Sequence, residues 1–158
     1  KPELAGNHNQ LGLAYCRLNR FEEGIAEYRK ALRISEEKPS TANTSAVATI
    51  RTNLANALTI TGNNLNEFAQ KFFAQGTVAT AKEEQKKAMN RYDEAISEYE
   101  KALEIAPDHP AIHRNLGLLL ASLGRTQEAI AHLQKTLQLA PNEPVARQVL
   151  SEIEAQHP

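Results

Sequence analysis

Apolar residues return at intervals of three and four along nearly the whole chain, the spacing that gathers them on one face of an α-helix. Leu4, Leu11, Ala14, Tyr15 and Leu18 mark a first helix over 4–18. After a turn at Asn19-Arg20, Phe21, Ile25, Tyr28, Leu32 and Ile34 mark a second over 21–35. Pro39-Ser40-Thr41 closes it, because proline cannot continue a helix and biases the preceding residue away from helical angles. Val47, Ile50, Leu54, Ala57, Leu58 and Thr61 share one face of a third helix. Toward the C-terminus, helices over 111–123 and 126–139 flank Gly124-Arg125, glycine being suited to a left-handed helix cap. Residues 145–156 make one more amphipathic helix with Val145, Val149, Leu150 and Ile153 inward. Pro144 falls in its first turn, where a missing N–H costs nothing.

A longer period overlies the helical one. Residues 92–110 read YDEAISEYEKALEIAPDHP, and residues 126–144, 34 positions on, read TQEAIAHLQKTLQLAPNEP. A third copy, FEEGIAEYRKALRISEEKP, occupies residues 21–39. Self-similarity at this period means one helix-turn-helix unit copied and stacked. The lone helix after the last pair covers the exposed apolar end of such a stack.

The repeated residues resemble tetratricopeptide repeats, whose first helix carries Leu-Gly and then Tyr, and whose second carries Ala, an aromatic and Pro. The Leu-Gly pair stands here as Leu11-Gly12, Leu54-Ala55 and Leu116-Gly117, and the Tyr as Tyr15, Leu58 and Leu120. The second-helix small residue is Gly24, Ala95 and Ala129; the aromatic is Tyr28, Tyr99 and Leu133; then come Ala31, Ala102 and Thr136. Departures are His8, Arg51 and His113 where the family often has Trp, and Glu36 in place of the first Pro. The resemblance implies an all-α, right-handed α-solenoid of three helix pairs and a C-terminal capping helix. As a single domain over 1–158 it divides into repeat 1 at about 4–38, repeat 2 at about 44–107, repeat 3 at about 110–143 and the cap at about 144–157.

The middle repeat is oversized. Leu11 and Leu54 are 43 positions apart, nine more than one repeat, which places a short insertion in the loop around 39–47. Leu54 and Leu116 are 62 apart, which places a longer insertion between the two helices, at about 63–91. We read it as an extension of both helices into an antiparallel hairpin turning at Gly76-Thr77. Leu54, Leu58, Thr61, Leu65, Phe68 and Phe72 form one seam, and Val78, Ala81, Gln85, Ala88, Tyr92, Ala95 and Tyr99 the other. Arms of about 13 residues project roughly 20 Å. Gly62-Asn63-Asn64, poor helix formers, leave open a helix that ends at Thr61, a loop, and a separate short helix over 65–75. Phe68, Phe72 and Phe73 cannot all face one thin seam. Either one of them is exposed, for a partner or a second copy of the chain, or they fold back onto a neighbouring repeat.

By the same resemblance, first helices line a concave groove that takes an extended peptide or a helix of another protein. Gln10, Asn53 and Asn115 recur at one phase of it. An amide offers both donor and acceptor to a peptide backbone, and the column resembles the asparagine ladder of the sugar transferase that modifies protein Ser and Thr. The alternative is that these amides satisfy a neighbouring helix. Asn9, Leu13, Cys16, Arg17, Asn56, Ile60, Arg114 and Leu118 fall on the same face. Arg17 and Arg114, with no acid among them, point to mild preference for a carboxylate, or are two solvated arginines. The clamp by which related repeats hold the C-terminal tails of heat-shock chaperones needs two Lys, two Asn and an Arg. The matching positions here are Asn9, Leu13, Asn53, Ala111 and Asn115, so only Asn53 agrees and no chaperone-tail binding is expected.

Composition narrows the rest. A formal charge of −1 gives no reason to expect nucleic acid or an anionic membrane as partner, and no apolar run nears the roughly 20 residues of a membrane helix. Cys16 stands alone, which excludes an internal disulfide and suits a reducing, cytoplasmic setting. The chain opens at Lys1 rather than Met, as a fragment does. Catalysis has little to work with: Asp93 and Asp108 are the only Asp residues, and Cys16 has no His placed to activate it. His109 precedes Pro110 in a turn and so does not share a helix face with His113, while Glu128 and His132 read as a surface pair. No catalytic residue, metal or cofactor is expected. The expected function is protein interaction, as adaptor or assembly scaffold. The alternatives are self-association into a homo-oligomer through the insertion, or a regulatory module of a larger enzyme or transport protein.

Overall fold

A computed structural model describes residues 2–37 and 44–156. The loop proposed at 39–47 therefore falls largely outside the described residues, although 44–47 already belong to a helix. All regular structure among the described residues is helical: α1 (Pro2–Arg17), α2 (Phe21–Glu37), α3 (Thr44–Ala74), α4 (Val78–Ile105), α5 (Pro110–Ser122), α6 (Thr126–Leu139) and α7 (Pro144–Gln156). The chain divides into two compact units, Lys1–Ala102 and Leu103–Pro158.

Three helix ends are built alike. Asn19, Gly76 and Gly124 take left-handed angles, with φ of 59°, 77° and 74°. The residue after each donates its N–H five positions back: Arg20 to Tyr15, Thr77 to Phe72 and Arg125 to Leu120. This closes off carbonyls that the helix end leaves unpaired. The turn of the middle repeat thus copies the turn of an ordinary one.

In the first unit α1, α2 and α3 pack in sequence. Ile25, Tyr28, Ala31 and Leu32 of α2 are buried, as are Ile50, Leu54, Ala57 and Leu58 of α3. The first helix departs from its expected facing. Ala5 and Gly12 are buried, whereas Leu4, Leu11 and Leu18 are exposed. Leu54, at the position of Leu11 one repeat on, is buried because α2 precedes α3 and packs on it.

Helix α3 runs unbroken through Gly62-Asn63-Asn64, so the separate short helix is set aside. Gly62 sits there for packing. A Cβ built on it lies 2.5 Å from the Tyr92 ring, as one on Gly12 lies 2.6 Å from Tyr28. Gly62 is seven residues after Ala55 and Tyr92 seven before Tyr99, so the hairpin repeats the small-residue-against-ring contact two turns further out. The antiparallel pairing is pinned by Arg51 to Glu98 at 2.6 Å, Tyr99 Oη to Asn56 Oδ1 at 2.5 Å, and Tyr92 Oη to Asn63 Oδ1 at 2.9 Å. Beyond the Arg91–Glu22 ion pair, which ties α4 to the start of α2, the two helices continue to the turn at Gly76.

Leu54, Leu58 and Thr61 on α3 and Ala81, Ala88, Tyr92, Ala95 and Tyr99 on α4 are buried as expected of the seam, which departs from expectation toward the turn. Ala48, Ala55, Gly62 and Ala69 on α3, and Ala81, Ala88, Ala95 and Ala102 on α4, are buried at heptad spacing. Small residues allow the close approach. Phe68 and Val78, assigned to the seam, are 54% and 47% exposed, and Gln85 is exposed too. Phe73 is 42% exposed and Phe72 half-buried.

In the second unit α5 and α6 pair, and α7 covers them. Leu133, Ala146 and Leu150 form the buried cluster there, with Leu137, Val149 and Ile153 at its edge. Ala146 occupies the buried position, and Val145 is exposed. Glu143 caps α7: its Oε2 accepts the Ala146 N–H at 2.6 Å, close to the helix's positive end.

Candidate functional site

The positions predicted for a groove separate into three groups. The first is a pair of amides between α1 and α3: Asn53 Nδ2 donates to Asn9 Oδ1 at 3.0 Å. Both residues are half-buried. Among the described residues Asn9 Nδ2 and Asn53 Oδ1 enter no further hydrogen bond. The pair therefore joins two helices and still presents one amide donor and one acceptor. On the same two helices Gln10, Arg17 and Ile60 are exposed and Leu13 is half-buried.

The second group is turned to internal work. Asn56 accepts the Tyr99 hydroxyl, an α3–α4 bond rather than a ligand contact. Cys16 lies between α1 and α2, not on the groove wall: a Cβ on Gly24 falls 2.5 Å from its Sγ. Burial pushes its thiol above the usual pKa, against a smaller lowering by Tyr28, so it is a poor nucleophile. The Tyr28 hydroxyl is raised well above its ordinary value, by burial first and Cys16 second.

The third group lies on α5. Arg114 is not a free charge, because it donates to Glu143 Oε1 and to Asn115 Oδ1, both at 3.2 Å. Of the two arginines expected on the groove face, Arg114 thus meets an acid from outside that face, in the loop before α7. Leu118 packs against the Leu133–Leu150 cluster and is part of the core.

The residues standing where the family has Trp form polar pairs with the second helix of their own repeat. His8 Nδ1 meets Glu27 at 2.5 Å, Arg51 meets Glu98 at 2.6 Å, and His113 Nδ1 meets His132 Nδ1 at 2.9 Å. Glu27, Glu98 and His132 each immediately precede Tyr28, Tyr99 and Leu133, so both partners keep repeat phase. That regularity is present in the sequence and was not read from it. His132 is accordingly no surface partner of Glu128, which pairs with Arg125. His113 Nε2 faces the Pro107 carbonyl at 2.8 Å and must donate to it. In neutral His113 this leaves Nδ1 as an acceptor for Nδ1–H of His132. Burial, then His113, lower the pKa of His132, and Glu128 opposes them.

Among the described residues no three His, Cys, Asp or Glu side chains gather as metal ligands would, and no helix is long and apolar enough to cross a membrane.

Tetratricopeptide repeat family models match residues 5–38 and 86–144. Residues 39–85, which hold α3 and the hairpin turn, lie between the matches. No curated protein matches the chain. Among solved structures, one of the APC/C hetero-tetramer Cut9–Hcn1 is similar at TM-score 0.68 and 20% identity, over 92% of this chain and 22% of that one. The chain thus spans about a fifth of that protein's length. The first TPR domain of Spaghetti (RPAP3), bound to the HSP90 peptide SRMEEVD, is similar at 0.69 and 17%, over 99% and 94% of the two chains. The second TPR domain of human RPAP3, in complex with the HSP70 peptide SGPTIEEVD, is similar at 0.66 and 17%, over 98% of each. These likenesses agree on the fold. With the two family matches, and the repeat-phased Gly12–Tyr28 and Gly117–Leu133 contacts, the conclusion is direct: the chain belongs to the tetratricopeptide repeat family.

Proposed function

We propose that the chain is a protein-interaction module, an adaptor or assembly scaffold, that holds an extended peptide or helix of another protein against α1 and α3. The observation that carries this reading is the Asn9–Asn53 pair. It leaves Asn9 Nδ2 as a donor and Asn53 Oδ1 as an acceptor with no further hydrogen bond among the described residues, a match for the C=O and N–H of a peptide backbone. Such contacts hold a chain without reading its sequence. Gln10 and Ile60, exposed on the same two helices, add polar and apolar surface to that face. Similar domains bound to peptides from HSP90 and HSP70 give the reading its precedent. A chaperone tail is not the ligand in this reading, because the clamp positions Asn9, Leu13, Asn53, Ala111 and Asn115 supply no cation.

The test is a quantitative affinity purification from the native source, comparing the chain with an Asn53→Ala, Asn115→Ala variant. Loss of specific partners with unchanged helical circular dichroism is expected. An unchanged partner list overturns the groove reading.

A second reading is self-association through the hairpin. It is favoured by Phe68, Phe73 and Val78, all exposed near the turn. Solution mass measured across a range of concentrations tests it: a constant monomer mass rejects it, and a dimer lost in Phe68→Ser, Phe73→Ser supports it.

A further inference from the structure

Where α1, α2 and α3 meet there is a cavity of about 260 Å³. Ala5, Gly6, Ala46 and Ile50 form most of its wall, with Ser35, Thr49 and Asn9 completing it. Among the described residues no ionisable side chain lines it. The two hydroxyls are already bonded to their own helices, Ser35 Oγ to the Ala31 carbonyl at 2.9 Å and Thr49 Oγ1 to that of Ser45 at 3.0 Å. The wall is therefore apolar in effect, and a carboxylate or an ammonium entering it finds no counter-charge. Gly6, Ala46 and Thr49 are exposed, so the cavity is reached from solvent. A Cβ built on Gly6 meets nothing within 4 Å, and its absence keeps the mouth open.

Size and edge chemistry select the occupant. Pockets for whole small molecules run to roughly 300–1,000 Å³; this one is smaller and fits a single side chain. At its rim Asn9, which lines the cavity, bonds Asn53 and keeps its own amide donors unengaged, while Asn53 Oδ1 is an unengaged acceptor. A lone apolar solute has no use for that pair, whereas an amino-acid residue within a peptide uses both pocket and pair.

We propose that this cavity is the anchor subsite of the module: it seats one large apolar side chain (Leu, Ile, Met or Phe) of an extended peptide, with backbone N–H and C=O beside that residue held by Asn53 Oδ1 and Asn9 Nδ2. This rests on the peptide-binding reading above. One buried apolar anchor fixes the register of a strand that the amides hold without sequence preference.

The experiment is selection of a displayed library of random peptides on the full chain. Bound peptides are then measured by fluorescence anisotropy on the chain and on Gly6→Leu, Ala46→Leu and Asn9→Ala, Asn53→Ala variants. Gly6→Leu places a side chain over the mouth from an uncrowded helical position, and Ala46→Leu does so from the opposite wall, so a folding failure in one leaves the other. Enrichment of a single large apolar position is expected, with affinity reduced tenfold or more in each plug variant and the helical signal retained. Peptides that lose binding in Asn9→Ala, Asn53→Ala but bind both plug variants unchanged overturn the anchor and leave the groove reading standing. Enrichment of acidic C-terminal sequences overturns the apolar assignment. Peptides indifferent to every variant, or no bound peptide at all, overturn the groove reading along with it.

Discussion

Gly62→Ala sets two opposing terms against each other. Alanine is the better helix former by about 1 kcal/mol, and on an exposed helix that gain appears as stability. At position 62 the new Cβ falls 2.5 Å from Cε1 and 2.7 Å from Cδ1 of Tyr92. That ring is buried, and its hydroxyl donates to Asn63 Oδ1, so it cannot swing aside without losing the bond and opening a void. Overpacking of this kind costs about 1–3 kcal/mol, which cancels or outweighs the propensity gain and leaves a net loss of up to about 2 kcal/mol. Gly6→Ala is the control. It has the same chemistry and the same helical setting, but nothing lies within 4 Å, so a gain of roughly 0.5–1 kcal/mol is expected. Urea unfolding followed by far-ultraviolet circular dichroism gives both values. In a Tyr92→Ala background Gly62→Ala should turn from destabilising to neutral or stabilising, the signature of direct contact in a double-mutant cycle. If Gly62→Ala stabilises the otherwise unaltered chain as much as Gly6→Ala does, Tyr92 does not rest on Gly62. The account of the hairpin as a repeated small-residue-against-ring contact then fails.

Acid should weaken the α5–α6 pair ahead of any carboxylate effect. The folded pKa of His132 lies below its unfolded value of roughly 6.5, so its contribution is fully present above that pH and is lost as pH falls from there toward the folded value. Unfolding free energy measured from pH 7.5 down to 5 should decline, and His132→Leu should flatten the curve; an unchanged slope in that variant refutes the assignment. A peptide ending in the EEVD sequence found in the similar complexes should show no saturable binding by anisotropy, and a micromolar Kd refutes the reading of the clamp positions. Phe68→Ser, Phe73→Ser should leave the unfolding free energy from urea titration within about 0.5 kcal/mol of the original, since both rings are exposed and neither belongs to the buried seam. A larger loss means the hairpin rings are packed.

The difference between what was legible and what was not follows from the kind of interaction involved. Helix positions and pairing are local and periodic, so a single sequence carries them, and the 34-residue spacing carried even the enlarged repeat. The α4 side of the hairpin seam was legible in Ala81, Ala88, Tyr92, Ala95 and Tyr99, but on α3 following large residues led past the equally periodic Ala55, Gly62 and Ala69 to Phe68. An aromatic packs in this seam where a small residue faces it, as Tyr92 does against Gly62. Gly62 looked like a helix breaker because propensity is a property of one residue, whereas its use is a property of a pair 30 positions apart in sequence. The groove positions pose a different problem. Repeat phase gives the face on which Arg114 and Asn56 sit, but not whether their polar atoms are already occupied. Glu143 and Tyr99 reach them from 29 and 43 residues away. A charge counted from sequence is an upper bound on the charge a ligand meets. Here the Arg114–Glu143 ion pair removes one of the two arginines from the case for an acidic partner, leaving exposed Arg17, and the proposed contacts rest on an uncharged cavity beside an amide pair on α1 and α3.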